Sequence, residues 1–167
     1  KMLKNLGAKF VIIGHSENRQ NGENDFLINN KIKSAIKNNL SVIFCIGETI
    51  SQKRKRLTNS VLKSQILKGL KGVGSYTRII IAYEPVWSIG TGIIPKNLEL
   101  TKNINFIKLT IRKFSKLKKI KIIYGGSVNS NNINNLNSIN SIDGYLIGGA
   151  SQSAKKLIDI VKKTFIY

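Results

Sequence analysis

The stretch Ile79–Gly92, IIIAYEPVWSIGTG, decides the fold. Ile79, Ile80 and Ile81 form a short β-branched run, the composition of a strand buried on both faces. Glu84 follows, and Pro85 ends the strand because it lacks a backbone donor. The tail from Trp87 to Gly92 is apolar enough to cover a ligand, and its glycines let the backbone bend or approach an anion. A carboxylate at a buried strand end, beside a lid-like loop, is a candidate general base. An ordinary strand-to-helix loop with a solvated Glu84 fits these residues equally, and the rest of the chain separates the two readings.

Four further apolar runs resemble this one. They are Lys9–Ile13 before Gly-His-Ser-Glu, Ser41–Ile46 before Gly-Glu, Ile120–Tyr124 before Gly-Gly-Ser, and Ile142–Ile147 before Gly-Gly-Ala-Ser. Helical periodicity fills the gaps. Ile28, Ile32, Ala35 and Ile36 share one face; Leu57, Val61, Leu62, Ile66 and Leu70 share another. Leu100, Ile104, Ile107, Ile111 and Phe114 form the cleanest stripe, and Ala154, Leu157, Ile158, Val161 and Phe165 close the chain. One short helix is expected within residues 129–138. Strict alternation of such strands and helices predicts an α/β fold with a parallel sheet and helical crossovers. Ligands of such folds bind at the carboxyl ends of the strands.

The 167 residues suffice for one domain with a core, and 41% hydrophobic residues argue against global disorder. No apolar run reaches bilayer-spanning length, and no secretory cleavage pattern follows the basic start. Cys45 is the single cysteine, so no intrachain disulfide forms, and a packing role in VIFCI is expected. The chain opens on Lys1; Leu3, Leu6 and Gly7 read as a last helical turn with its glycine stop, so it is expected to begin partway through a larger fold. The net charge is +20. That excess admits nucleic acid or an anionic surface as partner, but the cations are scattered, with one tight run at Lys53–Arg56. A solvated basic surface is the simpler reading.

His15, the single histidine, follows the first strand. A helical turn starting near Ser16 would aim backbone donors at the imidazole and hold it neutral, able to donate one N–H. A histidine merely hydrogen-bonded at a strand end remains the alternative. Tyr124-Gly125-Gly126-Ser127 and Gly148-Gly149-Ala150-Ser151 place glycine pairs at two successive strand ends, a device that suits a phosphate cradle. Gly90-Thr91-Gly92 is not a dinucleotide fingerprint, because Pro95 replaces the third glycine. Nothing in the sequence clusters as a metal site.

AKFVIIGHSENR, CIGE, AYEPVWSIGTG, YGGSV and DGYLIGGAS, in this order and at these spacings, closely resemble the triosephosphate isomerase family. The resemblance covers nearly the whole chain from Lys1. It implies a partial TIM (β/α)8 barrel, with residues 1–167 as one domain matching strands four to eight of the family's eight. It implies that Glu84 is the proton-transfer base and His15 the neutral electrophile, roles already established for that family. It assigns Pro85–Gly92 to a closing lid with Gly90 on the phosphate, and Ser127, Gly148 and Gly149 to the other phosphate contacts. Ser16, Glu17 and Glu48 fall on supporting positions. The implied reaction interconverts dihydroxyacetone phosphate and glyceraldehyde 3-phosphate in glycolysis and gluconeogenesis, without a cofactor or metal. A cytoplasmic homodimer acting on a small phosphorylated triose is implied, with no nucleic acid and no membrane.

The departures also carry expectations. The family's Asn-x-Lys segment, whose lysine serves the phosphate and the oxyanion, has no match here, so this chain alone is expected to be inactive. Asn18 replaces a usual Arg and the segment after Arg19 is a residue shorter, which puts the local ion pairing in question. Ile93-Ile94-Pro95 replaces a more polar second lid hinge. The competing readings are another phosphate-binding barrel enzyme, and a non-catalytic basic protein that binds RNA or an anionic surface.

Overall fold

The computed structural model describes residues 2–115 and 120–165. Lys1 and residues 166–167, which the predicted domain includes, lie outside the described residues. The chain begins with a short helix, α1 (Met2–Asn5), stopped by Gly7 in the left-handed region at φ +86°. It continues as β1 (Phe10–Ile13), α2 (Ser16–Gln20), α3 (Asp25–Lys37), β2 (Ser41–Ile46), α4 (Ile50–Arg54) and α5 (Thr58–Gly69). The second half runs β3 (Ile79–Tyr83), α6 (Asn97–Ser115), β4 (Lys121–Tyr124), α7 (Ile133–Asn137) and α8 (Ala154–Phe165). Single 3₁₀ turns at Val86–Ser88 and Gly149–Gln152 follow the third and fifth apolar runs.

The four strands are parallel and ordered β1-β2-β3-β4, as in the sequence. No strand order reverses, so the sheet winds in one direction, as a barrel does and a doubly wound sheet does not. The predicted fifth strand, Ile142–Ile147, lies beside β4 but keeps only one parallel bridge, Tyr124 to Tyr145. The Tyr124 N–H donates to Gly144 O at 3.0 Å and the Leu146 N–H to Tyr124 O at 2.9 Å. One step earlier the Asp143 carboxylate accepts the Ile122 N–H at 2.8 Å, so a side chain supplies the acceptor that a regular ladder takes from backbone.

Helices α3, α5 and α6 pack side by side over the sheet. Ile28 and Ile32 of α3, Leu62 and Ile66 of α5 with Leu70 just beyond it, and Leu100, Ile104, Ile107 and Ile111 of α6 are fully buried, as their spacing predicts. Each such side chain contributes about 1.5–3 kcal/mol. Leu57 departs from the predicted stripe: it caps α5 and is largely exposed. So does α8, where Ile160 is buried while Ile158, Val161 and Phe165 are exposed. The apolar arc of α8 is wider than the surface that the described residues offer it.

Candidate active site

Each strand delivers its last residues to one end of the sheet, where a cavity of about 590 Å³ opens. His15, Glu84, Gly90, Ser127, Gly148 and Gly149 all line it, with the cation Lys156 at the start of α8. The chain separates these residues widely; the parallel sheet gathers them. A cavity of similar size at the opposite strand ends is lined by Phe10, Arg78, Arg112 and Lys121 and contains neither imidazole nor Glu84.

Glu84 continues β3 by one ladder bond, its N–H donating to Ile46 O at 2.8 Å. Two glycines wall it in. A Cβ on Gly47 would stand 1.8 Å from the Glu84 carbonyl oxygen, and one on Gly125 would stand 2.7 Å from its Cγ. The carboxyl group is buried, and burial pushes its pKa up to about 7. The Cys45 thiol, hydrogen-bonded to it, and the Arg19 guanidinium pull in the opposite direction without cancelling the effect.

His15 caps α2. The Glu17 N–H points at His15 Nδ1 from 3.4 Å, so Nδ1 is the acceptor nitrogen and Nε2 carries the hydrogen. Nε2 lies 3.8 Å from Glu84 Oε1. A carbonyl compound seated between them meets a base on one side and a hydrogen-bond donor on the other.

The residues read as supports lie outside the cavity wall. Ser16 is buried under His15 at the start of α2. The Glu17 side chain is mostly exposed, and its carboxylate approaches His15 Nδ1 to 3.9 Å. Glu48 is completely buried behind the loop after β3. There it accepts the Trp87 indole N–H at 2.9 Å and the Tyr83 hydroxyl at 3.2 Å. Burial raises its pKa, and those hydrogen bonds oppose the rise.

Other contributors were not singled out from the sequence. Arg19 donates from Nε to Gly14 O at 2.8 Å and from Nη2 to Cys45 O at 3.3 Å, and pairs with Asp25 at 2.8 Å. The segment after Arg19 therefore holds an ion pair, Arg19 to Asp25, beside Asn18. Cys45, read as packing, also hydrogen-bonds the candidate base. Lys53 lies 3.7 Å over the Trp87 ring and pairs with Glu99. Apart from the Arg19 bonds to Gly14 and Asp25, five and six residues away, these partners lie far apart along the chain, so local motifs carry little signal of them. Among the described residues, no group of three or more His, Cys, Asp or Glu is placed to hold a metal ion.

A family model described as triosephosphate isomerase matches residues 1–164. A triosephosphate isomerase of Thermodesulfovibrio yellowstonii is 43% identical over 164 residues, covering 96% of this chain and 67% of that protein. Those of Leptospira interrogans and Mycoplasma mobile are 42% and 44% identical, covering 95% and 97% of this chain and 66% and 65% of theirs. The chain thus spans about two thirds of the length of these relatives.

Proposed function

The chain belongs to the triosephosphate isomerase family, and we propose that its cavity interconverts dihydroxyacetone phosphate and D-glyceraldehyde 3-phosphate. The observation that carries this reading is the pairing of a buried Glu84 carboxylate with His15 Nε2, 3.8 Å apart, in a cavity that also holds the two glycine-rich strand ends.

Glu84 takes a proton from the carbon beside the substrate carbonyl. The released electron pair forms a carbon–carbon double bond, and the carbonyl oxygen gains negative charge. His15 Nε2–H hydrogen-bonds that oxygen and stabilises the enediolate. The hydroxyl proton passes from the other enediolate oxygen to this one, with His15 as the group placed to relay it, and Glu84 returns its proton to the neighbouring carbon, so that carbonyl and hydroxyl exchange places with no change in composition. A carboxylic acid with a pKa near 7 is matched to this traffic, since it both accepts and releases the proton at neutral pH.

The N–H groups of Ser127, Gly148, Gly149 and Gly90 would receive the phosphate, with Lys156 adding positive charge. Pro85–Gly92 would close over it and exclude water. Ser16, Glu17 and Glu48 would hold His15 and the lid in place. The complete protein would act in glycolysis and gluconeogenesis as a cytoplasmic homodimer, needing no cofactor. No helix among the described residues is long and apolar enough to cross a membrane.

The test is a coupled assay of the complete protein with both triose phosphates. Glu84→Gln should lower kcat by about 10³-fold and His15→Gln by about 10²-fold, with folding retained. A folded complete protein that interconverts neither substrate, or a Glu84→Gln variant at full rate, would sink the proposal.

A further inference from the structure

The cavity at the amino ends of the strands, about 600 Å³, has no part in the proposed reaction, yet its volume suits a small ligand. Its wall carries Arg78, Lys108, Arg112 and Lys121 against a single carboxylate, Asp143. The sheet and α6 bring these cations together. Arg78 extends β3 by a ladder bond, its carbonyl accepting the Val42 N–H at 2.8 Å. Lys121 opens β4 in register with Ile80, two residues beyond Arg78, so the pleat puts both cations on one face. Lys108 and Arg112 stand one turn apart on α6.

The carboxylate does not neutralise the group. Asp143 is already engaged by the Ile122 N–H at 2.8 Å and by the Lys108 ammonium at 3.5 Å. Lys108 also donates to Ser141 O at 2.7 Å, which ties it into the wall. Among the described residues, no carboxylate lies within ion-pair distance of Arg78, Arg112 or Lys121, and all three are exposed. The carbonyl end of α6 opposes an anion here, but it carries only about half a unit charge, against full charges on three side chains.

We propose that this cavity binds a diphosphate group, free or carried on a nucleoside, through Arg78, Arg112 and Lys121. A diphosphate offers two sets of oxygens, one for each guanidinium fork, and leaves charge for the lysine. Tyr76 and Phe10 wall the same cavity, and the Tyr76 ring meets Phe114 edge-on at 6.3 Å, so a base would find aromatic surface beside the phosphates. None of these residues lines the cavity that holds Glu84 and His15, so the two sites stand or fall separately.

The experiment is calorimetric titration of the complete protein at low salt with pyrophosphate, inorganic phosphate and ADP, in excess triose phosphate to occupy the Glu84 cavity. One pyrophosphate per chain is expected, bound roughly 10-fold or more tightly than inorganic phosphate. Arg78→Gln and Arg112→Gln should each weaken it about 10-fold. Arg112→Lys, which keeps the charge and loses the fork, should fall between. All three should keep kcat/KM within about 2-fold of the parent. If Arg78→Gln does not fold, Arg112→Gln gives the same reading. ADP bound more tightly than pyrophosphate, with the gain lost in Tyr76→Leu, assigns the group to a nucleotide; ADP bound equally or more weakly assigns free diphosphate. Pyrophosphate that triose phosphate displaces completely, or binding indifferent to both Gln variants, overturns the site. So does a parent that binds no pyrophosphate, whose cations would then serve only the carbonyl ends of the helices. A complete protein that binds pyrophosphate through Arg78 and Arg112 without isomerase turnover keeps this site and loses the isomerase reading alone.

Discussion

Burial disfavours the charged form of Glu84 more than Cys45 and Arg19 favour it, so its pKa rises from 4.5 to about 7. The sign of the linked stability follows. Between those two values the folded protein binds the proton more tightly than the unfolded chain does, so stability falls as pH rises through that window. The ionised Glu84 is a destabilised group that the rest of the fold sustains. Glu84→Gln should therefore be more stable than the parent at pH 8, by about 3 kcal/mol, with the difference vanishing as pH falls toward 4.5. Denaturant titrations at several pH values would measure it, and equal stabilities at pH 8 would contradict it. With Glu84 as the proposed base, kcat/KM should rise with pH and level off above about 7.

The loop Pro85–Gly92, the proposed lid, is anchored at its start by elements on both sides. Trp87 hangs from Glu48 at the end of β2, and Glu48 is held by Tyr83, whose hydroxyl accepts from Asn103 of α6 at 2.8 Å. Lys53 of α4 closes the group from outside, its ammonium over the indole and paired with Glu99 of α6. Lys53→Met should remove a cation–π contact of about 1 kcal/mol and free the indole to move. The expected signature is a shifted Trp87 emission spectrum and a KM raised a few-fold, with Lys53→Arg close to the parent. Trp87 is the one tryptophan of this chain, so comparison with Trp87→Phe isolates its signal. Emission unchanged in Lys53→Met would refute the anchoring role.

For the molecule as a whole, charge and sheet edges oppose each other. Among the described residues β1 pairs with β2 alone, and Phe10 and Ile12 are each about half exposed, at 52% and 49%. Ile158, Val161 and Phe165 of α8 add a second apolar surface. Open edges and apolar faces favour association of copies, whereas a net charge of +20 holds them apart. The 167-residue chain by itself should therefore self-associate increasingly as salt screens the charge, and should show negligible isomerase turnover. Light scattering between low and moderate salt, alongside the coupled assay, checks both; a soluble monomer turning over the triose phosphates would contradict the expectation.

Much of this architecture was legible in the sequence because its signals are local. The β-branched run Ile79–Ile81, the stripe from Leu100 to Ile111 and the glycine after each strand specify element type within a few residues. The same strand ends carry His15, Glu84, Ser127 and Gly148, so a parallel sheet alone was enough to bring them together. The tertiary structure decided what depends on distance across the fold. It set the burial that lifts the Glu84 pKa, the Arg19 contact to Cys45 O, and the Ser88–Tyr124 bond, whose partners lie 36 residues apart. It also decided that Asp143 shortens the last strand and that Ile160, not Phe165, faces inward. Periodicity is a property of neighbours along the chain, whereas desolvation and side-chain hydrogen bonding are properties of neighbours in space.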